Sequence, residues 1–291
     1  MEKGLNFRTQ KGQEDYFEAY DKTLELWEVP YTERYIETSF GKSHCLICGN
    51  PNASPLILLH AASCGATIWY PNVADLSQKY CIYAVDLITE SSKSILSSKI
   101  KSPEQSAKWL NETLDGLNLN KVYLCGLSVG GWNAAIYAIA YPARIQKLIL
   151  LSPVQTLAKM YPSFFIKIMR MGFRPTRKNV ENYIGWGSVN EASLPDSVIR
   201  QFTISIMNVN SNAAFPKMIK KQKLRDLKMP VMILLGKNEF AFNINKAVAI
   251  GRAEISNLNI EIIENASHLI SVSLPKIIND KIVNFLKENN G

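Results

Sequence analysis

Gly126-Leu127-Ser128-Val129-Gly130 is the stretch of this chain whose residue types and spacing point most directly to chemistry. It has the form G-x-S-x-G, in which a serine sits on a strained turn between a strand and a helix. Residues 121–125 read as a short buried strand, and residues 131–141 as a helix rich in Ala and Ile. A serine hydroxyl becomes a useful nucleophile only beside a general base, and the base needs an acid to orient it. The chain has 3 histidines, His44, His60 and His268. His268 follows the last strand-like run, 259–263, and is the candidate base. Glu239 follows the run 231–235 in Gly236-Lys237-Asn238-Glu239 and is the candidate acid. Asp86 also ends a strand, but the chain order serine, acid, histidine is met only by Glu239. A developing oxyanion needs backbone N–H donors. Val129, at the start of a helix, supplies one. The other is expected from His60-Ala61-Ala62-Ser63, with Ala62 the first choice and Ala61 the alternative; His60 is read as an organiser of that loop.

These residues lie far apart in sequence, so the elements around them must bring them together. Strand ends in a parallel sheet share one edge, and loops there can converge. An amphipathic helix is expected over 13–29, with Tyr16, Phe17, Tyr20, Leu24 and Trp27 on one face and Pro30 as its stop. Strands 31–40 and 44–48 follow, joined at Gly41-Lys42. Apolar runs at 55–59, 81–85, 122–125, 145–151 and 231–235 read as strands covered on both faces. Helices are expected at 69–78, at 102–117 opened by Ser102-Pro103, at 244–255 and at 274–288. This alternation predicts an α/β fold: a mostly parallel sheet of about eight strands with helices on both faces. Residues 153–229 look helical and lack strands. The expected organisation is an N-terminal helical segment (1–30), a core (31–153 and 230–291) and a helical lid or cap insertion (154–229).

Composition is that of a globular chain: 291 residues, 47% apolar and 20% charged. The net charge of +8 is concentrated, with 13 Lys and Arg against 4 Asp and Glu between positions 155 and 228. No nucleic-acid motif accompanies that excess. The cap segment interleaves Lys167, Arg170 and Arg174 with Tyr161, Phe164, Phe165, Ile168, Met169, Met171 and Phe173, which suits an acyl or aromatic pocket. Residues 122–143 carry no charge, but Gly126, Gly130, Asn133 and Pro142 fit strand, elbow and helix better than a membrane span. The polar start and 5 cysteines lead us to expect reduced thiols and a cytoplasmic protein. Cys45 and Cys48 form C-x-x-C, yet strand alternation would point them to opposite faces.

Together these residues resemble the α/β-hydrolase superfamily, in particular its lid-bearing, carboxylesterase-like branch. The resemblance runs from Tyr31 to the C-terminus. His60 with Trp69 is similar to the oxyanion loop, Gly126 to Gly131 to the nucleophile elbow, and Gly236 to Glu239 to the acid turn. Ser267-His268, Leu274-Pro275 and Phe285-Leu286 are similar to the histidine loop and final helix. Ala61 stands where glycine is usual, the loop after Asp86 lacks the usual glycines, and Glu239 replaces the commoner aspartate.

The resemblance implies acyl transfer to water: Ser128 attacks a carbonyl, His268 takes its proton, and water hydrolyses the acyl-enzyme. It implies no cofactor and no metal. Ala61, Trp69, Phe164, Phe165 and Ile168 are the candidate substrate contacts. The expected partner is a small-molecule ester or related acyl compound and no nucleic acid; a basic, apolar lid resting on an anionic membrane is the lesser alternative. Thioester, lactone or carbon–carbon cleavage, cofactor-free haloperoxidase activity, and non-enzymatic ligand sensing stay open, because a fold this widely shared does not choose between them.

Overall fold

The computed structural model describes residues 3–173, 176–187, 194–210 and 216–288. Among them the strands are β1 (Tyr31–Thr38), β2 (Gly41–Cys48), β3 (Pro55–Leu59), β4 (Cys81–Val85), β5 (Ile95–Leu96), β6 (Val122–Leu127), β7 (Ile145–Leu151), β8 (Val231–Gly236) and β9 (Leu258–Ile263). The α-helices are α1 (Gln10–Leu24), α2 (Tyr70–Leu76), α3 (Pro103–Gly116), α4 (Val129–Ala140), α5 (Pro162–Phe173), α6 (Arg177–Gly187), α7 (Asp196–Asn208), α8 (Ile244–Glu254), α9 (Ile270–Ser273) and α10 (Pro275–Lys287).

The strands form one 9-stranded sheet in the order β1-β2-β4-β3-β6-β7-β8-β9, with β5 paired to β2. From β4 to β9 every pairing is parallel, whereas β2 runs antiparallel to β1, β4 and β5. The ninth strand is the two-residue β5, hidden from a pattern reading inside a serine-rich loop. Alternation along β3 explains its continuous apolar run. Leu56 and Leu58 face one apolar layer, shared with Trp69, Ile278 and Ile282. Ile57 and Leu59 face the other, shared with Trp109, Leu110 and Ala134. A strand buried on both faces has no polar side to show. Cys45 and Cys48 likewise fall in opposite layers, and all five cysteines are buried free thiols.

Local chemistry sets the helix ends. The Ser102 hydroxyl accepts the Gln105 N–H at 3.3 Å, with Pro103 in the first turn of α3. The Thr9 hydroxyl accepts the Gly12 N–H at 3.0 Å and starts α1. The sequence pattern carried that helix to position 29, but it ends at Leu24. Trp27 keeps the apolar periodicity because successive turn hydrogen bonds, Leu26 N–H to Thr23 O and Trp27 N–H to Leu24 O, fold it back into the core.

The β1–β2 turn also differs from expectation. It falls at Ser39-Phe40, with Thr38 opposite Gly41. Gly41 (φ +127°) is needed instead for close approach, since a Cβ there would lie 2.0 Å from the Ile95 carbonyl oxygen of β5.

In the described parts of 154–229, α5, α6 and α7 follow one another without a strand. Arg174, and the side chain of Phe173, lie outside the described residues. The returning chain is tied to the sheet helices where Trp132 Nε1–H of α4 donates to the Lys217 carbonyl at 2.8 Å. No helix among the described residues is long and apolar enough to cross a membrane.

Candidate active site

Ser128 stands between β6 and α4 with φ 55° and ψ −112°. A non-glycine residue held there stores about 1–3 kcal/mol of strain and persists only where its surroundings over-determine it. Two contacts do so: its N–H donates to Leu151 O of β7 at 2.9 Å, and its carbonyl accepts the Trp132 N–H at 3.1 Å. The flanking glycines serve close approach. A Cβ on Gly126 would lie 2.3 Å from the Gly130 carbonyl oxygen, and one on Gly130 would lie 2.2 Å from that of Leu59. Helix α4 can therefore start against the ends of β3 and β6 only without those side chains.

A second pair of loops is laced together beyond β8 and β9. Lys237 N–H donates to Ile263 O and Asn238 N–H to Ala266 O, both at 2.9 Å, and the Ser267 hydroxyl donates to Asn238 O at 3.0 Å. Gly236 permits the crossing, since a Cβ there would lie 2.3 Å from the Ser267 carbonyl oxygen. This lacing fixes Glu239 relative to His268. Both Glu239 oxygens lie 2.9 Å from His268 Nδ1, and Oε1 also accepts the Ala241 N–H at 2.9 Å. On the other side of the ring, His268 Nε2 is 2.8 Å from Ser128 Oγ. The side chains of His268 and Glu239 are 4% and 0% exposed, so water screens their interaction little. Phe164 and Phe240 flank the imidazole, with centroids 6.1 and 5.8 Å from its own.

The other histidines are engaged elsewhere. His60 Nδ1–H donates to Ala61 O at 2.7 Å and Nε2 accepts the Leu87 N–H at 2.8 Å, which holds the 60–63 loop against the turn after β4. His44 lies between Asp86 (2.8 Å) and Glu33 (3.0 Å). Burial opposes charge on His44, but hydrogen bonds to the two carboxylates outweigh it and raise its pKa. Burial likewise opposes ionisation of Asp86, and the bond to His44 prevails and lowers its pKa. Asp86 Oδ1 accepts the Ala66 N–H at 2.6 Å, so this ion pair anchors the far end of the same loop.

A cavity of about 270 Å³ opens beside Ser128. Val129 and Ala62 both border it, with Val129 in the first helical turn, where backbone N–H groups lack intrahelical acceptors. Phe164 and Ile168 line it together, being one turn apart on α5.

Three expected contacts do not line it. Phe165 is next to Phe164, about 100° round the helix, and points outward at 44% exposure. Trp69 is fully buried in the apolar layer with Ile270 and Ile278, because the turn at Ala66–Trp69 carries it beneath the loop. Ala61 is buried in that layer too, leaving Ala62 at the cavity.

Pattern reading passed over Thr89, Glu90, Asn133, Val154 and Met160, which also line the cavity. Asn133 could have been found one helical turn after Val129; Glu90, in an irregular serine-rich loop, carried no signal.

The chain is also similar to known proteins of one fold family. Residues 54–273 match the family model described as the alpha/beta hydrolase fold. Over 283 residues the chain is 31% identical to an uncharacterized carboxylesterase, nap, of Bacillus subtilis (strain 168), covering 95% of this chain and 93% of that one. It is 28% identical to the carboxylesterase YbfK of the same organism, covering 93% of each. The crystal structure of naproxen esterase (carboxylesterase NP) from Bacillus subtilis superposes with a TM-score of 0.91 at 29% identity, covering 96% of this chain and 100% of that one. On its strand order, its sequence and its three-dimensional likeness, the chain belongs to the α/β-hydrolase fold family, on the side of its carboxylesterases.

Proposed function

We propose that this chain is a serine hydrolase that cleaves small carboxylic esters through an acyl-enzyme, with Ser128, His268 and Glu239 as its triad. The observation that carries the proposal is the unbroken hydrogen-bond chain from Glu239 through His268 to Ser128 at the edge of an apolar-walled cavity. Ser128 Oγ attacks the ester carbonyl while His268 Nε2 takes its proton. Glu239 holds Nδ1–H in place and stabilises the imidazolium that forms. The N–H groups of Val129 and Ala62 receive the oxyanion. The imidazolium then protonates the departing alcohol, and His268 activates water to release the acid.

The carboxylesterase relatives support ester chemistry, and the cavity supports a small substrate. Its volume of about 270 Å³ is just below the ~300–1,000 Å³ usual for drug-sized ligands. In this reading the 154–229 segment is the lid, and Phe164 and Ile168 on its first helix shape the substrate end of the cavity.

A fluorophosphonate probe together with p-nitrophenyl butyrate hydrolysis tests the proposal. Wild type is labelled and turns over; Ser128→Ala is not labelled, and Ser128→Ala and His268→Ala each lose nearly all turnover. Unchanged turnover in the His268 variant would remove the base and with it the mechanism.

A further inference from the structure

The cavity lining includes a carboxyl that ester hydrolysis itself does not require. Glu90 lines it together with Ser128, Ala62 and Ser63. Its position is fixed on three sides. Its own N–H donates to Leu87 O at 3.0 Å, its carbonyl accepts Asn6 Nδ2–H at 2.7 Å, and Oε2 accepts the Ser63 N–H at 3.1 Å. The carboxyl therefore stands beside the loop that would receive the oxyanion, in a cavity whose apolar lining includes Trp132, Val154, Met160, Phe164 and Ile168 and whose neutral polar lining includes Ser106 and Asn133.

Among the described residues no lysine or arginine forms an ion pair with Glu90. The two lysines of the lining, Lys101 and Lys217, are exposed at its rim. Burial raises the Glu90 pKa and the Ser63 N–H acts against it, so the charged form of this carboxyl is costly until a cation is brought to it. A half-buried carboxylate of this kind gains from a positive charge or an N–H donor brought to it, and a second anion beside it is repelled.

We propose that Glu90 is a charge selector for the substrate: the cavity prefers esters carrying an ammonium group to their neutral isosteres, and rejects those carrying a carboxylate. The inference rests on the esterase reading above. It adds a substrate class, amine-bearing esters, to a site whose lining is otherwise mainly apolar. Glu90 contributes charge to recognition and takes no part in the bond-making steps.

The experiment compares kcat/KM for two isosteric series. The first is the 4-aminobutyrate, pentanoate and hemisuccinate esters of one phenol, which places the charge on the acyl side. The second is acetylcholine against 3,3-dimethylbutyl acetate, which places it on the alcohol side. Wild type should prefer cation to neutral isostere by about tenfold in at least one series, the attraction being partly screened at the open mouth. Glu90→Gln keeps an oxygen to accept the Ser63 N–H and removes the charge, so the preference should shrink toward unity. Inhibition of the wild type by butylammonium, butanol and butyrate provides a reading independent of any variant's folding, with the ammonium binding tightest and the carboxylate weakest. Equal rates for cationic and neutral esters in both series, or a preference unchanged in Glu90→Gln, would overturn the proposal while leaving ester hydrolysis intact. Absence of wild-type turnover on the neutral esters would instead strike the esterase reading.

Discussion

Replacing Glu239 by glutamine removes a charge while nearly preserving shape, and the structure sets the size of the effect. Oε1 accepts from both His268 Nδ1–H and the Ala241 N–H, whereas Oε2 faces the histidine. In Glu239→Gln the new amide oxygen would stay at the Oε1 position, because the Ala241 N–H requires an acceptor. From there it still lies within reach of Nδ1–H, and the productive tautomer survives once the amide NH2, which takes the Oε2 place 2.9 Å from Nδ1, turns aside. What is lost is the attraction between carboxylate and imidazolium. At about 4 Å between charge centres and an effective dielectric near 20, that attraction is ~4 kcal/mol, or about 10³ in kcat. The pair is buried, so little of this is screened away. The loss should stay below the ~10⁴ that follows when an amide replacement imposes the wrong tautomer. Steady-state hydrolysis of p-nitrophenyl butyrate, with the acylation burst measured separately, reads the effect. Glu239→Leu, which has no acceptor, should be worse than Glu239→Gln. A Glu239→Gln rate within tenfold of wild type would refute the assignment of Glu239 as the group that stabilises the imidazolium.

Gly236→Ala should lower both stability and kcat, because its Cβ would meet the backbone oxygens of Ser267 and Ala266 at 2.3 and 2.7 Å and displace the histidine loop; the control Gly251→Ala, whose nearest contact is the Leu258 side chain at 3.2 Å, should leave kcat near wild type in the same assay. Ile168→Ala should raise KM for esters with longer acyl chains by several-fold with a smaller change in kcat, since it removes wall contacts made equally by substrate and transition state; an acyl-chain series that shifts kcat alone would contradict this. Stability should also depend on pH through the buried His44 cluster. His44 titrates above its ordinary 6.5, so its contribution is complete below 6.5 and is lost as pH rises through the folded value. Glu33 is lowered from 4.5 to about 2, chiefly by its hydrogen bond to His44, so its contribution is present above 4.5 and is lost as pH falls toward 2. His44→Gln should therefore be less stable than wild type in urea unfolding near pH 6, with the gap narrowing as pH rises; a gap constant with pH would count against the ionised pair.

Much of this architecture was already written in local pattern. The continuous apolar runs, the Gly126–Gly130 spacing and the Ser102-Pro103 opening depend on neighbours in sequence, so the strands, the elbow and the start of α3 could be read directly. Pattern misplaced features whose cause is non-local. Gly41 resembles a turn glycine, but β5 requires it from 54 positions away along the chain. Trp27 extends a helical period although a turn buries it.

For the site, sequence alone named a serine, a histidine and a carboxylate by type, order and place at strand ends. Distances were beyond it. The separation of Ser128 from His268 is set by how β6, β8 and β9 sit in one sheet and how tightly the loops beyond them are laced. Whether Phe164 or Phe165 faces the cavity depends on the rotation of α5, and whether Glu90 does depends on a loop without periodicity. Sequence determined which groups were available for chemistry. Tertiary structure decided which of them meet, because side-chain direction and long-range packing are properties of the assembled sheet and the helices packed on it.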